Sequence, residues 1–250
     1  MDTKAFLDTL GKEIVERNAL LHHPVMKLFY DGKLSKEQLQ GWVKQFWVIP
    51  QTHLINNAGK LAHAQLWRGG IFQQLLETPY HKKITAEIFE AVNDEMGKTK
   101  ISPQNHYDCF FILCEELGIP KDQMGRPEDL VPTSLLVMHA WVQSALQFSL
   151  LELIASHNFV NDNTNTIGYP RVCEALMKHY GVSKEAATWF DLHGEVDKEH
   201  GKMSRFVLNT LIKTEEDLRV VRYAVKFGLS IKWALFDGVM NAYVNKSYAI

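Results

Sequence analysis

The chain has 250 residues, 46% hydrophobic and 22% charged, with 27 Lys and Arg against 29 Asp and Glu for a net charge of −2. That is globular composition, long enough to bury one large core, and the near-balance of charge excludes a basic nucleic-acid binder or a protein drawn to anionic membranes. The N-terminus lacks the apolar core of a signal peptide, and the three cysteines (Cys109, Cys114, Cys173) form no CxxC pair, so the expected compartment is the reducing cytoplasm.

Apolar residues at helical spacing open the chain (Phe6, Leu7, Leu10, Ile14, Val15), and His23-Pro24 interrupts the run because a residue before proline is pushed out of the helical region. A short helix over Val25–Tyr30 ends at Asp31-Gly32. Ser35, with Gln38 three residues later, makes a capping box for the next helix. That helix carries Leu39, Trp42, Val43, Phe46, Trp47 and Ile49, and Pro50 kinks or breaks it before it resumes towards Trp67.

Gly69-Gly70 separates it from a helix over Ile71–Met96 that Pro79 interrupts. Ser102-Pro103 starts another, which Gly118 ends. After a proline-containing connector, a helix from Thr133 to about His157 has no Asp, Glu, Lys or Arg before Glu152. Its Ser, Gln and His residues mark it as a buried central helix rather than a membrane span. Next come a polar loop, Asn158–Thr166, a shorter helix over Pro170–Tyr180, a long helix over Ser183–Leu211, and a last helix capped by Thr214-Glu-Glu-Asp217. No period-two strand pattern appears. The reading is one all-α domain over residues 1–250, a single-domain bundle of about seven to nine helices.

The chemistry concentrates in His193-Gly-Glu-Val-Asp197-Lys-Glu-His200. At about 100° per residue Asp197 lies about 40° from His193, and His200 about 20° to the other side, so one stripe of the helix carries two imidazoles and a carboxylate. Ligands from other helices would complete a metal site. Glu152 stands among leucines, where an unpaired carboxylate is costly. Glu95 ends a helix whose dipole it opposes, with Asp94 as an alternative, and His106 lies beside Cys109 and Phe110. Glu95, His106, Glu152, His193, Asp197 and His200 form a mixed N/O set that favours iron or manganese over structural zinc. Six ligands are too many for one catalytic ion with an open position and enough for two ions sharing a bridging carboxylate.

Taken in order, these stretches resemble the haem-oxygenase-like diiron oxidases and oxygenases, the superfamily that includes the pyrroloquinoline quinone synthases and the TENA thiaminases. The resemblance runs from His23-Pro24, Gly32-Lys-Leu34 and Gln38-Leu-Gln-Gly41-Trp-Val, through Asp94-Glu95-x-Gly97 and His106, to Glu152 and His193-x3-Asp197-x2-His200. It implies a haem-oxygenase-like fold, two Fe(II)/Fe(III) ions and O2 as co-substrate. Its metal-free quinone-forming branch carries arginine where His193 stands, which points to the metal-binding branch. Glu95, His106 and His193 are then expected on one iron, Asp197 and His200 on the other, and Glu152 as the bridge.

The implied activity is O2-dependent oxidation of a small organic substrate, with an amino acid or amine preferred. The alternatives are a fatty-acid oxidative decarboxylase of the same superfamily, or a metal-free oxidase or binding protein similar to the quinone synthases. Trp42, Phe46, Trp47, His53, Phe148 and Tyr169 are candidate pocket residues, and Arg171 and Lys232 candidate partners of a substrate carboxylate. The expected partner is a small molecule, with no nucleic acid and no membrane, and the scaffold suits a homodimer.

Overall fold

The computed structural model describes residues 2–65, 80–100 and 104–247, and among them every regular element is helical. The N-terminal layer is α1 (Thr3–Arg17), α2 (Ala19–His22) and α3 (Pro24–Tyr30), broken at Asn18 and His23, whose side chains cap the helices that follow. Next, α4 (Lys36–Phe46) opens with the Ser35–Gln38 capping box, both of its hydrogen bonds formed. A break at Trp47 starts α5 (Val48–Gln65), with Pro50 in its first turn, where proline's missing N–H costs nothing.

Then come α6 (His81–Glu95), α7 (His106–Glu116) and α8 (Pro132–Gln147). The expected breaks at Gly69-Gly70 and Pro79 and the start at Ser102-Pro103 lie outside the described residues. Gly118 does end α7, with φ +73°. The C-terminal half is a continuous rod followed by two long helices. The rod is α9 (Leu150–Leu153), a π-helical segment (Ile154–Phe159) and α10 (Val160–Tyr180); after it come α11 (Thr188–Leu211) and α12 (Glu215–Val239). The Thr214–Asp217 capping box forms at the start of α12.

Two expectations fail here. The charge-poor helix does not run from Thr133 to His157; it stops at Gln147 and restarts after Ser149. The polar stretch Asn158–Thr166 is helix, not loop, and Pro170 sits inside that helix. Polar side chains marked a loop only on the assumption that they faced solvent. Asp162, Thr164 and Asn165 are buried instead, and Pro170 packs its ring against Gly194 of α11, where an added Cβ would lie 3.4 Å away.

The core has two apolar clusters. One is aromatic: Phe29 stacks on Trp42, Trp42 on Phe46, and Trp189, Phe190 and Phe110 close around them. The other is aliphatic, where Leu7, Leu10 and Ile14 of α1 meet Ile154, Phe159, Val207, Leu208 and Leu211. No helix among the described residues is long and apolar enough to cross a membrane. Close backbone approach holds the central helices together: a Cβ on Gly59 of α5 would lie 2.6 Å from the Ala145 carbonyl of α8.

Candidate metal centre

Three helices turn a polar stripe inward, and all three stripes have the same register. His53, Asn56, Asn57 and Lys60 on α5, Asn158, Asn161, Asp162 and Asn165 on the rod, and His193, Asp197 and His200 on α11 fall at steps of three, four and seven residues. Together with Glu95 and Ala91 of α6 and Trp141 of α8 they line one internal chamber of about 50 Å³, room for about four waters. A surface stripe at that spacing is ordinary; three buried ones on facing helices are an interior built for polar cargo.

Glu95 is the hub of one half. It is buried, its Oε1 lies 3.2 Å from His53 Nδ1 and 3.8 Å from His193 Nε2, and its Oε2 lies 2.9 Å from His106 Nδ1. Burial alone would push the carboxyl up, but the three imidazoles outweigh it and carry the group well below its ordinary range, so it is a carboxylate. Gly97 ends α6 two residues on with φ +67°, and a Cβ there would meet the Asn105 nitrogen at 2.5 Å, so glycine allows the turn that sets Glu95 against His106.

His193 has the most telling geometry. Its Nδ1–H donates to the Trp189 carbonyl at 2.8 Å, which turns Nε2 away from that bond; Nε2 is buried and has no hydrogen-bond partner. Metal-binding histidines are commonly oriented by a bond of this kind. One ligand atom each from His53, Glu95 and His193 lie within 4.8 Å of one another.

The second half is carboxylate-rich. His200 sits between Asp94 (Nε2 to Oδ2, 3.1 Å) and Asp197 (Nδ1 to Oδ1, 3.5 Å). Burial opposes its charge, yet the two carboxylates win and hold the imidazolium up to about 10. Thr99 donates to Asp94, and Asn165 donates to Asp197 Oδ2 at 2.9 Å. Asp162 is the odd member. Burial and then the neighbouring Asp197 push its carboxyl up, and its Oδ2 has no partner. Gly201 makes room for it, since a Cβ there would lie 3.3 Å from Asp162 Cβ.

Two buried lysines balance these acids: Lys60 donates to Asn57 at 2.7 Å and Lys232 reaches Asn165 at 3.5 Å. Burial lowers both to about 8, against the pull of Asp162 and Asp197.

Of the six expected ligands, Glu95, His106, His193, Asp197 and His200 come together. Glu152 does not. It is half-buried at the third position of α9, its Oε2 accepts from the Ser149 N–H and hydroxyl at 2.8 and 2.7 Å, and it does not line the chamber. Asp162, ten residues on, faces the chamber in its place. Ser149-x-x-Glu152 is itself a capping signature, legible in the chain but masked by treating the apolar run as unbroken.

His53, expected against substrate, belongs with Glu95 and His193. Trp42, Phe46, Trp47 and Tyr169 are packed in the aromatic core, and Phe148 packs tilted against Phe227 with centroids 4.9 Å apart. Arg171 lies over the Tyr30 ring at the surface, and Lys232 is buried behind Asn165 without lining the chamber. These aromatic residues share the helical spacing of the polar stripes, which marks a face and leaves open what that face meets. Asp94 is singled out by pattern only as the alternative to Glu95, and Asp162 and Lys60 not at all, though the repeated stripes on α5 and the rod carry the same signal as the His193 motif.

Residues 61–231 match the family described as iron-containing redox enzymes. Pyrroloquinoline-quinone synthase of Xanthomonas campestris is 25% identical over 224 residues, 89% of this chain and 82% of that relative. Among solved structures, a CADD-like protein of unknown function from Nostoc punctiforme superposes with TM-score 0.74 at 14% identity, covering 98% of this chain and 99% of the other. A TenA homologue from Pseudomonas syringae superposes with TM-score 0.69 at 15% identity, covering 96% and 91%. A domain from Shewanella denitrificans described as having a heme oxygenase-like fold superposes with TM-score 0.66 at 14% identity, covering 99% and 97%, and these superpositions establish the fold as haem-oxygenase-like.

Proposed function

The chain belongs to the family of iron-containing redox enzymes, and on that footing we propose that it is a non-haem, O2-dependent oxidase that holds two iron ions in the chamber and oxidises a small organic molecule. The observation that carries this reading is His193 Nε2, a buried nitrogen of a ring fixed by its bond to Trp189, without a hydrogen-bond partner and 3.8 Å from Glu95 Oε1. The unpartnered Oδ2 of Asp162 supports a second position in the same way. Imidazoles mixed with carboxylates are the donors ferrous iron takes.

One ion is assigned to His53, Glu95 and His193, with His106 bound to the far oxygen of Glu95. The other is assigned to Asp162, Asp197 and His200, with Asp94 behind His200 and Asn165 behind Asp197. When bound, the iron pair would supply the electrons and the binding site that activate O2. The protein's own part is to keep the ligands in place and water scarce. Trp189 fixes the ring of His193, Asn165 orients Asp197, and the apolar residues around the stripes leave only the 50 Å³ chamber open.

The test is anaerobic ferrous titration of the full chain. Close to two irons per chain are expected, with oxygen consumption on exposure to air, and both should fall in a His193→Ala variant of unchanged helix content. Fewer than one iron bound by the unaltered chain would sink this reading and favour a metal-free oxidase.

A further inference from the structure

Seven buried polar atoms without a hydrogen-bond partner belong to residues that line the chamber: His193 Nε2, Asp162 Oδ2, Asn56 Oδ1, Trp141 Nε1, His157 Nδ1, Asn158 Oδ1 and Asn161 Oδ1. The first two are used by the metal assignment. The other five are not, and an unmade buried hydrogen bond is costly enough that five on residues lining one cavity call for an occupant.

Four of the five are acceptors, and the fifth, the Trp141 indole N–H, is a donor. For the three asparagines the atom is the amide oxygen. For His157 the tautomer follows from its neighbour. Ser144 donates its only hydroxyl proton to the Trp141 carbonyl at 2.8 Å, so at the 3.0 Å contact its oxygen accepts from His157 Nε2–H, and Nδ1 is left as a lone pair. Burial, helped by the charge of Lys60, holds the His157 imidazole neutral.

His157 and Asn158 lie in the π-helical segment, an arrangement that strains a helix and recurs at functional sites. Gly228 of α12 accommodates that segment: a Cβ there would lie 2.3 Å from the Ser156 carbonyl oxygen. Beside the four acceptors stands Lys60, with one N–H on Asn57 Oδ1 and the other two without hydrogen bonds.

We infer that this end of the chamber is a headgroup receptor in which Asn56, His157, Asn158 and Asn161 accept the N–H groups of a primary ammonium and Lys60 takes a carboxylate, so that the substrate is a small α-amino acid. The inference deepens the oxidase reading and rests on it for the word substrate; the receptor itself needs no metal. An ammonium offers three donors and no acceptor, which is what four unpaired acceptors lack. Glu95 and Asp197 supply the negative field that draws a cation inward. The rest of the molecule faces the ligand end. There the chamber shares Ala91 and His200 with a surface groove between α6 and α11.

The probes are the twenty protein amino acids, titrated calorimetrically into the metal-free full chain and into the anaerobic ferrous-loaded chain. The desamino acid and decarboxylated amine of any that binds are then tested. We expect at least one amino acid to bind saturably to both forms, its two truncated counterparts to bind at least tenfold more weakly, and Lys60→Met and Asn158→Leu each to weaken it at least tenfold with iron stoichiometry unchanged. Asn161→Leu replaces Asn158→Leu if that variant does not fold. The inference is overturned if no amino acid binds, if the truncated compounds bind as well (the acceptors then hold water only), or if the variants bind like the parent. Failure of iron to load would overturn the oxidase reading alone, since the metal-free titration still tests the receptor.

Discussion

The aromatic core around Trp42 and the polar chamber around Glu95 are built partly from the same helix. The first turns of α11 give Trp189 and Phe190 to the core, and the next three give His193, Asp197 and His200 to the chamber. The two regions spend burial differently. In the core every large ring gains from leaving water and from its neighbours' edges and faces. In the chamber, Glu95, Asp162, Lys60, His157 and His193 are buried at a cost that internal hydrogen bonds only partly offset, as the unpartnered atoms show. Groups retained against their own stability mark the part of the molecule selected for chemistry, and the contrast can be tested by breaking each side separately.

The largest effect on folding is expected in the core. Trp42→Ala should cost about 3–5 kcal/mol, read as a lowered denaturation midpoint, with iron bound per folded chain unchanged. An equal loss of iron would mean that the two regions are not separable. His193→Ala should do the reverse: ferrous affinity falls about a hundredfold or more while thermal stability moves by about 1 kcal/mol or less, because the cavity left is small and a buried polar atom is removed. Chelator competition and circular dichroism read the two sides.

A smaller effect separates the two carboxylates of the rod. Asp162→Asn should weaken iron uptake by about tenfold or more. Glu152→Ala should leave it unchanged and cost only the capping box, about 0.5–2 kcal/mol. The opposite ranking would restore Glu152 as the bridge.

The smallest and most graded effect is on pH. In the metal-free chamber His200 holds its proton up to about 10, and Asp162 is also shifted upward. Metal must displace those protons, so uptake is coupled to proton release and strengthens as pH rises. Between pH 6 and 8 ferrous affinity should rise about tenfold per unit for each proton released. A flat profile would show that these groups do not bind the ion.

Much of the fold was legible residue by residue. Ser35–Gln38 and Thr214–Asp217 announced helix starts because a capping box is a local exchange of hydrogen bonds. His193, Asp197 and His200 could be read as one stripe for the same local reason, and Glu95 and His106 from being awkward where they stood. Asn158–Thr166 misled because polarity was equated with solvent. Glu152 misled because its surroundings in sequence are leucines, while its surroundings in space are Ser149.

By itself the sequence determined the helices, most of their breaks, and the faces on which imidazole and carboxylate side chains recur, since a helix's period and its caps depend only on residues within a few positions. What the stripes face was decided by tertiary structure. Glu95 is 42 residues from His53 and 98 from His193, and no local rule brings them within a few ångströms. That juxtaposition depends on how α5, α6, the rod and α11 pack, on glycines such as Gly59, Gly97 and Gly201 that allow close approach, and on which buried polar atoms the packing leaves without partners.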